Sequence, residues 1–170
     1  MYYTIKNNIK SLSWESIFCG IDKELICPDI AVEYANYSAE NLLEVSAEII
    51  ELMILDIAEK DTVLSIISDF APKTKRCLNN CLRELRYVVL LELWQEENDK
   101  RRLSSIIDQV YSDFEYPSDM DSFVSYMPAK DGYDVSSYSE EENIAQLIEN
   151  FESFMQSEKE WLLSRRQNNR

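Results

Sequence analysis

A chain of 170 residues with 32 acidic residues, 17 basic residues and no histidine, for a net charge of −15, excludes every mechanism built on a Ser–His or Cys–His pair or on a histidine-ligated metal. Its two glycines, where an average chain of this length holds roughly a dozen, exclude Gly-rich phosphate loops, the dinucleotide fingerprint and most hairpin-rich β folds. With 45% apolar and 29% charged residues, the composition is that of a globular protein with enough chain for a core.

The apolar spacing is helical nearly throughout. Trp14, Ile17, Phe18 and Ile21 follow i, i+3, i+4, i+7, with Ser13 as N-cap and Gly20 near the end. Pro28 suits the first position of a second helix that buries Ile30, Ala31, Tyr34 and Ala35. From Ser38 to Lys60 the pattern predicts one long central helix, rich in Leu, Ile and Met, with a narrow polar stripe of Glu40, Glu44, Glu48, Glu51 and Glu59. Asp61 is expected to cap a short helix through Val63, Leu64, Ile67 and Phe70, stopped near Pro72. Lys73 to Glu97 reads as a long helix with a core face of Leu78, Cys81, Leu82, Leu85, Val88, Val89 and Trp94. Its polar edge is Arg76, Asn79, Asn80, Arg83 and Arg86. Leu103, Ile106, Ile107, Val110, Tyr111 and Phe114 form the cleanest amphipathic pattern. Ser118 to Asp121 resembles a capping box that opens a short helix closed by Pro128. Residues 129–138 lack periodicity and are expected to form a loop. Ser139 followed by three glutamates starts the last helix, which buries Ile144, Leu147, Ile148, Phe151, Phe154, Met155, Trp161 and Leu162. The expectation is a single all-α domain over residues 1–170, an antiparallel bundle or αα array of about eight helices. Helices 38–60, 73–97 and 140–164 are expected to form its core, with both Ile50 and Leu85 buried.

The opening Met1-Tyr2-Tyr3 carries no basic-then-apolar leader, so a cytoplasmic protein without a signal peptide is expected. Cys19, Cys27, Cys77 and Cys81 then read as reduced thiols, since seven residues between the first two do not make a zinc knuckle. Cys77 lies near Lys73, Lys75 and Arg76, but no base stands beside it for thiol catalysis. The pairs Glu48/Glu51, Asp56/Glu59 and Glu149/Glu152 have the i, i+3 spacing that holds magnesium in all-helical nucleotide pyrophosphohydrolases. They also read as solvated helix faces. No cofactor and no metal is assigned, and the expectation is a protein that is not an enzyme. A magnesium-dependent hydrolase using Glu48, Glu51, Glu149 and Glu152 is one alternative, and a helical scaffold or oligomerisation module is another.

The charge is uneven. Residues 1–72 hold 4 basic and 13 acidic residues, residues 73–102 hold 8 and 5, and residues 103–163 hold 2 and 14. Such a chain is repelled by nucleic acid and by anionic membranes, so a charged macromolecular partner is expected to be a basic protein. The acidic, tyrosine-rich helix–loop segment 116–139 is where that partner is expected to bind. Tyrosine offers rigid contact area and carboxylates accept from Lys and Arg. The expected contact residues are Tyr116, Asp119, Asp121, Tyr126, Asp131, Tyr133, Asp134 and Tyr138. The alternative reading is a solvated loop whose tyrosines lie back on the helices. The oligomeric state stays open.

Three stretches carry a family resemblance: Leu12-Ser13-Trp14 with Gly20; Tyr111 to Pro117 running on to Phe123-Val124-Ser125-Tyr126-Met127-Pro128; and Leu147-Ile148-Glu149-Asn150-Phe151. They resemble a bacterial family described as domain of unknown function 2247. The resemblance implies a small, cytosolic, mainly helical bacterial protein with no assigned catalytic residue. It also implies a likeness to the small acidic immunity proteins that accompany secreted bacterial toxins. No functional residue is carried over from it.

Overall fold

The computed structural model describes residues 2–41, 44–70, 78–129 and 132–168. Among the described residues every regular element is helical: seven α-helices and three 3₁₀ turns, with one isolated bridge between Tyr3 and Ile26. The all-α expectation is what the structure shows. No helix among the described residues is long and apolar enough to cross a membrane. The chain divides into two compact units, 1–92 and 93–170.

In residues 1–92, α1 (Trp14–Asp22) starts where the Ser13 hydroxyl accepts from the Ser16 amide at 3.3 Å. It ends at Glu24, whose φ of 59° is left-handed, and the Lys60 ammonium donates to the Asp22 carbonyl and the Glu24 carboxylate there. Helix α2 (Asp29–Asn41) begins just after Pro28 and buries Ile30, Ala31 and Ala35. Tyr34 is half-buried, its ring edge-on to Trp14 at 4.7 Å. Helix α3 (Ala47–Met53) packs on α2 and on α4 (Lys60–Phe70), and α4 packs on α1 through Val63, Ile66 and Ile67.

The long helix expected from Ser38 to Lys60 does not form. Ser46 has extended backbone, and its hydroxyl caps Ile49 while Glu48 occupies the first turn, so a new helix begins there. Helix α3 stops at Met53, and residues 54–59 are not helical. Asp56 and Glu59 therefore lose the helical spacing that paired them. Ile50, Ile54 and Ile57 are 49, 72 and 73% exposed, not core. The apolar residues spread over many sides do not make this stretch a buried helix, because the Ser46 cap inside it starts a new one. Leu42 and Leu43 lie outside the described residues.

The enclosed helix is instead α5 (Leu78–Glu96), in which every residue from Glu84 to Leu90 is buried. Leu78, placed on the core face, is exposed. Arg86, placed on the polar edge, is buried because that stretch is covered all round. The start expected at Lys73 falls outside the described residues. Glu92 is fully buried. Its carboxylate accepts from the backbone amides of Lys6, Asn7 and Asn8 and from both asparagine side chains, at 2.7–3.1 Å. Five donors satisfy a group that would otherwise be costly to bury. Burial pushes its pKa up, but the bonds from Asn7, Asn8 and Lys6 outweigh this and hold it below the ordinary carboxylate range.

In residues 93–170, α6 (Lys100–Asp113) is capped by Asp99, which accepts from the amides of Arg101 and Arg102. A 3₁₀ turn (Ser118–Phe123), a shorter one (Val135–Ser137) and α7 (Glu140–Asn168) follow, both α6 and the first turn packing on α7. The Phe151 ring meets Trp94 and Phe123 edge-on, each at 5.6 Å, which centres the core on α7. Ser139 and Glu142 form a reciprocal capping box, the Ser139 amide donating to Glu142 and the Glu142 amide to Ser139. The capping box expected at Ser118 is absent. Pro117 is the N-cap and offers no side-chain oxygen.

Candidate functional site

The candidate segment begins where α6 ends. The Glu115 amide donates to the Ser112 carbonyl and the Tyr116 amide to the Tyr111 carbonyl. Glu115 is left-handed at φ 64°, so the end is a Schellman motif built without glycine, and Pro117 follows. Tyr116 is also left-handed, at φ 59°. Two such residues in succession strain the backbone, and the result is to turn the Tyr116 ring outward, 62% exposed.

The Tyr111 ring is buried between two exposed tyrosines. Tyr116 lies edge-on to it at 5.4 Å and Tyr126 at 6.1 Å, the latter 58% exposed. The Tyr111 hydroxyl donates to the Asp121 carboxylate at 2.9 Å. Burial and that acceptor push the Tyr111 phenol above its ordinary range, so it stays a donor. The turn carrying Tyr126 is tied to α6 by Asp108, which accepts from the amide and hydroxyl of Ser125. Asp119 is exposed on the 3₁₀ turn, and Asp121 is half-buried behind it.

The remaining candidates sit apart from this trio. Tyr133 stacks on Tyr138 with centroids 4.9 Å apart and planes 6° from parallel. Its hydroxyl donates to the Asn143 side-chain oxygen on α7. Asp134 accepts from the Ser136 amide and from the hydroxyls of Ser136 and Ser137, which close the 3₁₀ turn Val135–Ser137. The bonds from Ser136 and Ser137 hold its carboxyl below the usual aspartate range. Asp131 lies outside the described residues. Asp121 and Tyr133 do share a feature: both line a cavity of about 390 Å³ whose other walls include Val124, Met127, Asn143 and Asn150.

Eight residues were expected to act together. The structure gathers Tyr116, Tyr126 and Asp121 around Tyr111, and pairs Tyr133 with Tyr138. Tyr111 and Asp108 organise the surface, although the apolar pattern assigned Tyr111 to helix burial alone. Their signal was Asp108 one turn before Tyr111 on the same helix, where a buried phenol and a carboxylate both need partners.

At the acidic helix pairs, Glu51, Glu149 and Glu152 are exposed and Glu48 is half-buried. A backbone amide and the Ser46 hydroxyl hold Glu48 below its usual range, as at any helix start. Among the described residues no three Cys, Asp or Glu side chains gather into a set that would hold a metal ion. At the start of α7, Arg101 bonds to Glu140 at 2.6 Å and Glu141 at 2.9 Å, which offsets part of the negative charge there.

No curated protein and no solved structure matches the chain. The stretch from Tyr111 to Pro128 that builds this tyrosine surface lies within residues 2–159, which match the model of a family described as an uncharacterized protein conserved in bacteria (DUF2247), and the chain belongs to that family.

Proposed function

We propose that the protein is a non-catalytic acidic binding protein of the immunity type, which neutralises a basic toxin by capturing it on the Tyr116–Tyr126 surface. The observation that carries this reading is the pair of exposed tyrosine rings held on either side of the Tyr111–Asp121 hydrogen bond. Large aromatic area fixed by a rigid scaffold is the composition of a binding hot spot. Residues 93–170 hold 17 acidic and 8 basic residues, and a cationic partner would be steered towards such a field. A nuclease domain, whose site must grip phosphate, is a partner of that chemistry. Cytoplasmic location follows from this reading, since the toxin acts inside the cell.

The test is titration of the purified product of the neighbouring gene against wild type, Tyr126→Ala and Asp119→Lys at two salt concentrations. The expected result is nanomolar capture, with association slowed by salt and by Asp119→Lys, and faster dissociation from Tyr126→Ala. Equal affinity for all three proteins, or association indifferent to salt, would remove this surface from the reading.

A second reading is a module that self-associates. It is favoured by the exposed Ile50, Ile54 and Ile57, since apolar side chains grouped on a surface commonly mark an interface. Light scattering that shows a dimer, lost in Ile54→Lys, would support it.

A further inference from the structure

Cys19 on α1 and Cys81 on α5 lie in residues 1–92, away from the proposed binding surface, and are separated by 61 intervening residues. Two neighbouring contacts fix how these helices meet. The Ser16 hydroxyl donates to the buried Glu84 carboxylate at 2.5 Å. At Gly20 a Cβ would lie 2.7 Å from the end of the Leu85 side chain, so the Leu85 side chain of α5 packs directly on the α1 backbone there. One turn on from Ser16 along α1 is Cys19, and nearly one turn back from Glu84 along α5 is Cys81. Each thiol is the largest influence on the other's titration, Cys19 lowered and Cys81 raised from the ordinary thiol value. Cys19 is partly exposed and Cys81 is buried.

We propose that Cys19 and Cys81 are a redox-modification site, a dithiol that closes to a disulfide and clamps α1 to α5. The exposed partner meets the oxidant and the buried one resolves it. The Cys81 thiol lowers the Cys19 thiol from its ordinary value, against burial and the nearby carboxylates of Asp22 and Glu15. The thiol of Cys81 is itself pushed up. The thiolate is the reactive form, so Cys19 is the attacking sulfur.

With a peroxide as oxidant, the Cys19 sulfur attacks one peroxide oxygen and the O–O bond breaks. Cys19 becomes a sulfenic acid, and the leaving hydroxide takes a proton to become water. The Cys81 sulfur then gives up its proton and attacks the Cys19 sulfur. The S–S bond forms, the S–O bond breaks and a second water leaves. Two thiols lose two electrons and one peroxide gains them. A small dithiol reverses the bond by exchange. A bridge needs Cα atoms within about 4.4–6.8 Å, and the Ser16–Glu84 bond one turn away on each helix brings these two faces together. Cys27 differs: its thiol donates to the Asp29 carboxylate.

The test uses the full chain, reduced, desalted and treated with stoichiometric hydrogen peroxide. Remaining thiols are then alkylated and the peptides mapped. The expected result is loss of two of the four titratable thiols and a Cys19–Cys81 crosslinked peptide, with Cys27 alkylated. The urea midpoint should shift upward, because the crosslink restricts the unfolded chain, and dithiothreitol should reverse the shift. Because Cys81 lies in the core, the variants are placed elsewhere. Cys19→Ser should abolish the crosslink and the shift, while Cys27→Ser with Cys77→Ser should retain both. A crosslink mapped to Cys27 or Cys77, a Cys19 sulfinic acid without a crosslink, or a crosslink that leaves the midpoint unmoved would overturn the proposal.

Discussion

Glu92 and the acids of residues 116–138 occupy opposite environments. Glu92 lies inside residues 1–92 among Ile, Leu and Val, and five donors converge on it. Asp119 and Asp134 lie at the surface of residues 93–170, where acids are dense. Glu92 ties residues 6–8 to α5, because a buried carboxylate must be satisfied completely or not be charged. Local density of charge is therefore a poor guide to which carboxylate matters structurally, and a better guide to which partner the surface would attract.

The largest effect should come from breaking the buried side of this contrast. Glu92→Ala leaves the amides of Lys6, Asn7 and Asn8 without their acceptor and should cost about 4 kcal/mol in urea unfolding, judged from unsatisfied buried donors at roughly 1–3 kcal/mol each with partial rescue by water. Glu92→Gln keeps one acceptor and should cost less, but it should also remove a pH dependence. The folded-state pKa of Glu92 is depressed, so its contribution is present above the unfolded value and is lost as pH falls through the folded one. Wild type should therefore lose stability on acidification through the ordinary carboxylate range and below it. The difference between wild type and Glu92→Gln should shrink over the same interval. A difference constant from neutral to acid pH would mean the carboxylate is not the acceptor.

A smaller effect separates enclosed from exposed apolar residues. Leu85 is fully buried on α5 and Ile50 is half exposed on α3. Leu85→Ala should cost about 3 kcal/mol and Ile50→Ala less than about 1 kcal/mol, measured by the same unfolding curves. Similar losses at both sites would mean that α3 is covered.

Periodicity located α1, α2, α4, α6 and α7 within a few residues, because each has an apolar face and α1, α6 and α7 start at a side-chain cap and α2 after a proline; at α4, Asp61, expected as the cap, lies in the first turn. It failed between Asn41 and Lys60, where apolar residues on nearly every side leave no period to read and the Ser46 cap is the only punctuation. The helix α5 was legible, its expected end at Glu97 lying one residue past Glu96, but its enclosure was not: Arg86, read as polar edge, is buried, as are Glu84 and Glu92. At the candidate site, composition singled out a segment but not its geometry. A left-handed pair at Glu115 and Tyr116 cannot be read from residues that rarely adopt that backbone. The role of Tyr111 depends on Asp121, which reaches it only once the chain has turned.

The smallest effect divides the candidate acids themselves. Asp119 is exposed on the 3₁₀ turn Ser118–Phe123, and Asp134 holds the turn Val135–Ser137 by accepting from Ser136 and Ser137. If the surface acids serve a partner, Asp119→Lys should weaken capture and leave the amide spectrum of residues 134–138 unchanged. Asp134→Ala should do the reverse, raising the hydrogen-exchange rate of the Ser136 amide and disturbing the Tyr133–Tyr138 stack that the turn supports. Since bonding holds the Asp134 carboxyl low, the turn in wild type should persist as pH falls through the usual aspartate range and open only below it. Exchange at Ser136 that is indifferent to Asp134→Ala would mean that its carboxylate is not holding the turn. It would then join Asp119 among the acids a cation meets first.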